Sequence, residues 1–572
     1  MTAGEKVRKS PIGFLIAMCL VVCLPFLGKG GILASALIAI ALLGAPLFVL
    51  IGVLTVLSYV LWADVGDIID RGTLIERIRT LSDSPTLLAI PLFIMSGTVM
   101  SKGQISVRLV EWARALVGWI PGGLAMSAVL ACILFAAISG SSPATVVAIG
   151  AMMGPNLIKA GYDERFSHGL LTSAGSLGIL IPPSIPMIIY PIVNQGTLIQ
   201  VEHLFAAGFG PGLLMGAILM VYCGFQGAKG NIPTTPFSGY ALWTATRDGF
   251  WALMFPVLIL GGIYSGLFNA VEAAGVSVVY AVLVEVYLHR AITLRGVPSI
   301  FQETGIFLGS LLVIMVAALT FSEFLETEGI PHAMVEWLRQ FDLAPWQFLL
   351  VLNVLLLVVG MAMDILSAMF IFVPLLAPIA AEMGVDPIHF GIIFIVNLEI
   401  GYLTPPVGLN LFVASALFEK PIGHIIRSVV PFVGVMLIGL MLVTYQPALS
   451  VGFGNWIMGV ESTPATQGSG TGGGGMLGDD DDEVDSSVGE GERDIPAIQA
   501  ELDALRSGGV LNMQQMMREA ALQQELEDRA SAIEGQLEAL RGGGVLNMQQ
   551  MMQEADLQGQ LDALEASAQE AP

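Results

Sequence analysis

The chain has 572 residues, 55% hydrophobic and 12% charged, with a mean hydropathy of +0.77, which excludes a soluble globular protein carrying about 25% charge. The formal charge of −23 is unevenly placed: residues 461–572 hold 23 acidic and 5 basic side chains, residues 1–460 hold 24 and 19. The composition is that of a polytopic membrane protein with an acidic tail, and it argues against nucleic acid as a partner.

Lys6, Arg8 and Lys9 precede the apolar run from Pro11 to Leu27, so residues 1–31 read as an additional N-terminal span with its N-terminus in the cytoplasm. Ile32 to Trp62 exceeds one upright span of about 20 residues and is predicted to break at Gly44 and Pro46. Asp64 to Asp83 reads as an outside loop, and Thr86 to Met100 crosses back. The amphipathic stretch Val107 to Trp119, with Arg108 and Arg114, suits a helix lying on the cytoplasmic face.

Gly122 to Ile138 and Pro143 to Met153 are two short apolar arms around the polar tip Gly140, Ser141, Ser142. With Lys159 and Arg165 following, they predict a re-entrant hairpin. His168 to Asn194 is predicted as a helix broken at Pro182 and Pro183. Spans follow at Leu204 to Phe225, Phe250 to Phe268, Ala273 to Leu288 and Ile306 to Phe324. A second hairpin is predicted from Trp346 to Ala380 with its tip at Gly360 to Asp364, then a second broken helix from Pro387 to Phe418 and a last span at Val429 to Tyr445.

These two regions, 121–194 and 344–418, read as copies. An offset of 223 carries Pro155 onto Pro378, Gly161 onto Gly384, Asp163 onto Asp386, Gly178 onto Gly401, and Pro182 and Pro183 onto Pro405 and Pro406. Five predicted crossings lie between the hairpins, and an odd number inverts the second copy. The fold expected is therefore an all-α membrane protein of inverted repeats with two re-entrant hairpins and two broken helices. By the same parity the C-terminal tail lies outside, which in a bacterial inner membrane is the periplasmic side. That tail begins as a Gly- and Asp-rich linker over 461–500 and continues over 501–572 as an acidic helical tail with a 35-residue tandem repeat, LDALRSGGVLNMQQMMREA from Leu502 and LEALRGGGVLNMQQMMQEA from Leu537. It reads either as a partner-binding helix or as a solvated extension.

Irregular backbone at bilayer depth is tolerated where protein buries it or it lines a cavity, so the tips and breaks are the candidate binding site. Carbonyls freed there and the side-chain oxygens of Ser141, Ser142 and Thr145, with Ser184 at the first break, and Thr404 and Asn410 at the second, are hard ligands for sodium. Half-helix N-termini favour a carboxylate. Pro182, Pro183, Pro405 and Pro406 hold the breaks open, and Gly140, Gly360 and Gly408 belong to the same irregular segments. Asp364 and Glu399 are intramembrane acids, functional by default; Asp364 ligates a cation or fixes the hairpin, and Glu399 orients the second break or is a structural acid. Asn397 stands beside Glu399. Sodium is expected near Ser141, Ser142, Asp364 and Thr404. Cys19, Cys23, Cys132 and Cys223 lie in apolar runs and the six histidines are scattered, so no zinc site or disulfide framework is indicated. No catalytic triad or Walker loop is present, so neither enzymatic activity nor ATP-driven transport by this chain is expected.

From about Ile32 to Ser450 the chain resembles the large membrane subunit of the tripartite ATP-independent periplasmic (TRAP) transporters. The resemblance rests on PLF at Pro91, SGSSPAT at Ser139, ILIPPSIP at Ile179, GIYSGLF at Gly262, GMAMD at Gly360, and NLEIGYLTPPVGLNLF at Asn397. It covers a transporter domain of 32–460. It implies an elevator-type transport domain in a bacterial inner membrane and sodium-coupled import of an organic acid such as a C4-dicarboxylate. The implied partners are a small four-helix membrane subunit and a periplasmic substrate-binding protein; no cofactor is implied beyond sodium as the coupling ion. Three departures stand out. The family's TPTEAA pattern is NAVEAA at Asn269, which puts its turn in doubt. The span at Pro11 resembles the joining helix of fused subunits without a four-helix subunit before it. The tail lies outside the resemblance. Two other readings stay open: a stand-alone sodium/divalent-anion symporter, and a membrane scaffold acting through its acidic tail.

Overall fold

The computed structural model describes residues 28–42, 47–62, 79, 86–194, 199–230, 232, 234–329, 344–405 and 407–459. The expected N-terminal span, the loop at 64–83 apart from Arg79, Pro406, and the linker and tail from 461 onward lie outside the described residues. Among the described residues the ordered elements are helical and no strand occurs.

In chain order the helices are α1 (Lys29–Leu42), α2 (Leu47–Trp62), α3 (Thr86–Lys102), α4 (Ile105–Val117), α5 (Gly123–Ser139), α6 (Ser142–Lys159), α7 (Glu164–Ser176), α8 (Ile185–Val193) and α9 (Val201–Lys229). They continue as α10 (Gly239–Asp248), α11 (Phe250–Tyr264), α12 (Ala270–Val282), α13 (Val297–Thr327), α14 (Pro345–Ala362), α15 (Ile365–Glu382), α16 (Pro387–Gly401), α17 (Leu409–Leu417), α18 (Ile422–Tyr445) and α19 (Val451–Met458). Among the described residues six helices are long and apolar enough to cross a membrane, seven if α3 and α4, which meet at a 71° bend, count as one span. This is a multi-pass membrane protein. Exposed Val221, Phe225, Val351, Val354, Val358, Val430 and Ile438 are the side chains that a lipid solvent tolerates.

Helix interruptions fall where the hairpin tips and breaks were expected. α5 and α6 are separated by Gly140 and Ser141, α14 and α15 by Met363 and Asp364. A single 3-10 turn, Leu177–Ile179, is all that bridges α7 toward α8, and the peptide between Pro182 and Pro183 is cis. The expected start of the first broken helix at His168 is four residues late, because Asp163 caps α7 by accepting from the amides of Arg165 (2.9 Å) and Phe166 (3.2 Å). Its counterpart 223 residues on, Asp386, caps α16 from Ile388 (2.8 Å) and His389 (3.0 Å). Each cap follows a left-handed glycine, Gly161 and Gly384, a conformation with no steric cost only for glycine.

The register of the two regions is close. α6 and α15 begin and end 223 residues apart, as do the ends of α5 and α14. The broken helices occupy the interior: every residue from His389 to Gly401 is buried, which suits a helix that is apolar all round. α7 is buried over Ser167–Ser176 although rich in hydroxyls. Three of them bond back to the preceding turn, Ser167 Oγ to Asp163 O at 3.0 Å, Thr172 Oγ1 to His168 O at 2.6 Å and Ser176 Oγ to Ser173 O at 2.7 Å, the usual way a hydroxyl is satisfied inside a helix, while among the described residues Ser173 Oγ has no partner. α6 packs on α17, and α15 packs on α8, so each hairpin's second arm meets the other region's half-helix.

The turn in doubt at Asn269 is a capping box. Asn269 Oδ1 accepts from Glu272 N at 2.8 Å, and Glu272 carboxylate accepts from Asn269 N at 3.0 Å, satisfying two amides of the first turn of α12. Asn269 stands where the pattern has Thr and Ala270 where it has Pro, without loss of the helix start. The elbow between α3 and α4 is held from outside, by buried Glu285, whose carboxylate accepts from Gln104 N (3.0 Å) and Ile105 N (3.1 Å).

Candidate functional site

The tip of the first hairpin gathers hydroxyls. Ser139 Oγ lies 3.1 Å from Thr145 Oγ1, which donates to Ser141 O at 2.9 Å. Ser142 and Thr145 are fully buried. Asn410, at the start of α17 beyond the second break, donates through Nδ2 to Ser142 Oγ at 2.6 Å. That bond ties the tip of one region to the break of the other. Among the described residues Asn410 Oδ1 is buried with no hydrogen-bond partner, and an oxygen left so costs about 1–3 kcal/mol unless something else uses it. Ser184, at the first break, donates to Ile179 O at 2.5 Å.

The tip also faces a cavity of about 230 Å³ whose polar lining includes Thr98 and Ser101 of α3, Ser139 and Ser141 of the hairpin, and Thr304 of α13. Ala144 lines it too. Thr145 N is bonded to Ser141 O at 3.1 Å and Pro143 has no amide, so the first-turn amides of α6 left over are those of Ser142 and Ala144. Amides of that kind at a helix start suit an anion. Lys102 and Glu303 pair at 2.5 Å, and Glu303 also lines this cavity.

The second tip is closed on itself. Asp364, the position equivalent to Ser141, caps α15: its carboxylate accepts from Ser367 N at 3.1 Å and from Ser367 Oγ at 2.5 Å. Ile365 N donates to Tyr402 Oη at 2.9 Å, and Val407 N to Met361 O at 3.0 Å. Gly360 and Gly401 are in backbone contact; a Cβ on Gly401 would lie 2.6 Å from the carbonyl carbon of Gly360. Thr404 Oγ1 donates back to Ile400 O at 2.9 Å. Gly408 adopts φ +41° at the entry to α17.

Two expected site residues lie elsewhere. Asn397 donates to Asn353 Oδ1 (2.7 Å) and Ile393 O (2.8 Å), and Asn353 donates to Thr444 Oγ1 (3.1 Å). That network joins α16 to α14 and α18 rather than to either tip. Glu399 is buried beside the C-terminal end of α7, where its carboxylate, at 2.9 Å from Ser176 Oγ, shares that hydroxyl's single proton with Ser173 O, and among the described residues its other oxygen has no partner. Residues 176 and 399 are themselves 223 apart. Ser139 was within reach of the sequence, since it opens the SGSSPAT motif; Ser176, Ser367 and Tyr402 carry no local signal. Among the described residues no three His, Cys, Asp or Glu side chains gather as a metal site, so the polar groups at the tips are neutral oxygens and single carboxylates.

Residues 33–449 match the family model described as the tripartite ATP-independent periplasmic transporter, DctM component. The C4-dicarboxylate TRAP transporter large permease protein DctM of Pseudomonas aeruginosa is 45% identical over 388 residues, 68% of this chain and 90% of that protein. The ectoine TRAP transporter large permease protein TeaC of Halomonas elongata is 33% identical over 421 residues, 73% of this chain and 97% of that protein. The crystal structure of the Alcanivorax borkumensis YdaH transporter has the same fold at 16% identity, with a TM-score of 0.54 over 72% of this chain and 97% of that one. The relatives are permeases, not enzymes. With the family model spanning most of the chain from α1 to the end of α18, this protein belongs to the DctM family, the large membrane subunits of TRAP transporters.

Proposed function

We propose that this chain is the permease of a sodium-coupled TRAP system in a bacterial inner membrane, importing an organic acid delivered by a periplasmic binding protein, with a small four-helix membrane subunit as a further partner. The observation that carries the reading is the bond from Asn410 to Ser142, which leaves a buried amide oxygen beside the hydroxyls of the first tip. Sodium is a hard cation that takes such oxygens. Ser141, Ser142, Thr145 and Asn410 form the principal ion site, and Asp364 with Thr404 forms a second, weaker one, because their oxygens already serve a cap and a back-bond. A carboxylate solute would sit in the adjoining cavity, its charge met by the remaining amides at the start of α6 and by the hydroxyls of Thr98, Ser101 and Thr304.

Coupling follows from that arrangement. Sodium joins tip and opposite break, completes the wall of the solute cavity, and lets the loaded domain move as one body. Support for an inverted repeat comes from the common 223-residue register, the paired Asp163 and Asp386 caps, the reciprocal packing of α6 on α17 and α15 on α8, and the Ser176 to Glu399 bond between equivalent positions, which marks a local two-fold. An elevator movement of the two hairpins with their broken helices is the motion this arrangement permits. The relatives' names include C4-dicarboxylate, ectoine and isethionate carriers, so the reading is kept at a small organic acid, with its selection belonging largely to the binding protein.

The test is uptake of labelled organic acids into proteoliposomes holding the chain, with and without an inward sodium gradient, the small subunit and the binding protein. Uptake that requires all of them supports the proposal. Uptake by the chain alone identifies a stand-alone symporter, and no uptake in any combination, with function lost on deleting residues 461–572, identifies a scaffold.

A further inference from the structure

At the elbow where α3 turns through 71° into α4, α4 packs on the short helix α10. Arg108 Nη1 donates to Asp248 O at 2.9 Å, Trp112 Nε1 donates to Thr246 Oγ1 at 3.1 Å, and Thr235 N and Oγ1 donate to Gly118 O at 3.3 and 3.1 Å. Both helices are thus fixed, yet α10 buries none of its residues. Tyr240 is 81% exposed and Trp243 69%. Between α4 and α10 is an open cleft of about 480 Å³.

The lining of this cleft is chemically mixed. It carries the guanidinium of Arg114, the carboxylates of Glu111 and Asp248, and the rings of Trp119, Phe237 and Tyr240. Trp119 and Phe237 meet edge to face at 6.1 Å. Among the described residues no side chain forms a hydrogen bond or ion pair with the charged ends of Glu111, Arg114 or Asp248. One cation and two anions remain uncommitted beside aromatic faces. That set, net negative by one, disfavours a simple anion and favours a ligand bearing both charges. Guanidinium takes phosphate, while carboxylates and ring faces take an ammonium. Amphipathic helices with exposed aromatic rings lie at the headgroup level of a bilayer, where such a zwitterion is abundant.

We propose that the cleft between α4 and α10 is a headgroup site for an ethanolamine phospholipid, with Arg114 on the phosphate and Glu111, Asp248, Trp119, Phe237 and Tyr240 around the ammonium. Phosphatidylglycerol has the phosphate without the ammonium and is disfavoured by the two carboxylates. The site is distinct from the solute cavity and acts on the elbow, anchoring α3, which lines that cavity, to the membrane surface.

The experiment is native mass spectrometry of the purified full chain, delipidated and then exposed to equimolar phosphatidylethanolamine and phosphatidylglycerol. Preferential retention of phosphatidylethanolamine is expected, falling about tenfold in Arg114→Gln and in Glu111→Gln, as for loss of one charge-assisted contact. Phosphatidylglycerol retention should also fall in Arg114→Gln, which removes the partner of the phosphate both lipids share, and should rise in Glu111→Gln, which removes a repelling carboxylate; an unchanged melting temperature and elution volume report an intact fold in both. Trp119→Leu with Tyr240→Leu tests the ring wall at exposed positions without altering charge, and should reduce the same preference. Soluble glycerophosphoethanolamine at equal concentration should fail to displace the lipid. Equal retention of the two lipids by the native chain, a preference untouched by the charge and ring variants, or ready displacement by the soluble headgroup would overturn the assignment.

Discussion

Ser141 and Asp364 occupy equivalent positions, each opening the second arm of a hairpin, and the two tips around them are built for different tasks. The first tip is a cluster of hydroxyls joined to the opposite break by one side-chain bond, with Asn410 Oδ1 left over. In the second, the carboxylate, the Tyr402 hydroxyl and the Gly360 to Gly401 contact close the backbone on itself. A shared backbone plan therefore supports one tip with oxygens to offer and one whose oxygens are already committed.

Substitutions can break this contrast in order of severity. Gly401→Val should be the most damaging, because any side chain there meets Gly360 backbone at under 3 Å; overpacking typically costs about 1–3 kcal/mol, and backbone contact leaves little room to relax. The expected outcome is loss of folded protein by size-exclusion chromatography. Asn410→Leu comes next: the fold is retained, and sodium-driven uptake in proteoliposomes falls more than about tenfold, roughly 1.4 kcal/mol of lost ion coupling. Ser142→Ala should act in the same direction. Asp364→Asn is milder, since the amide oxygen still caps α15 and removal of a cap altogether costs about 1 kcal/mol; a fall of a few degrees in melting temperature with sodium dependence largely kept is expected. Asn269→Ala should be smaller in its effect on uptake, lowering stability by about 1 kcal/mol through loss of the capping box while leaving sodium dependence unchanged. If Asp364→Asn abolished sodium dependence and Asn410→Leu spared it, the division between the tips would be reversed.

Much of this architecture was legible because the membrane leaves few choices. Gly140 and the Ser pair sit between two apolar arms too short to span, and the first hairpin was expected over Gly122–Ile138 where α5 runs Gly123–Ser139. The 223-residue offset placed the second hairpin and both breaks. What escaped was short or exposed: α10 has no apolar run, and α19 is eight residues long. The start of α7 was missed because Asp163 was weighed as a repeat marker and not as a cap. At the site, residue types were legible and their pairings were not. Thr404 in its back-bond and Asn397 in its network with Asn353 show that a polar residue near a break has several ways to be satisfied. Only the approach of α16 to the C-terminal end of α7 reveals that Ser176 serves Glu399.

The central claim is that sodium binds at the first tip and ties it to the second break. Its most direct test is the sodium-dependent thermal shift of the purified chain, with potassium holding ionic strength constant, for the native protein, Asn410→Leu and Asp364→Asn. Ligand at a hundredfold excess over its dissociation constant stabilises by about 2.7 kcal/mol, a shift of several degrees. The native chain and Asp364→Asn should show it and Asn410→Leu should not. A shift equal in sodium and potassium, or one that survives in Asn410→Leu, would contradict the account.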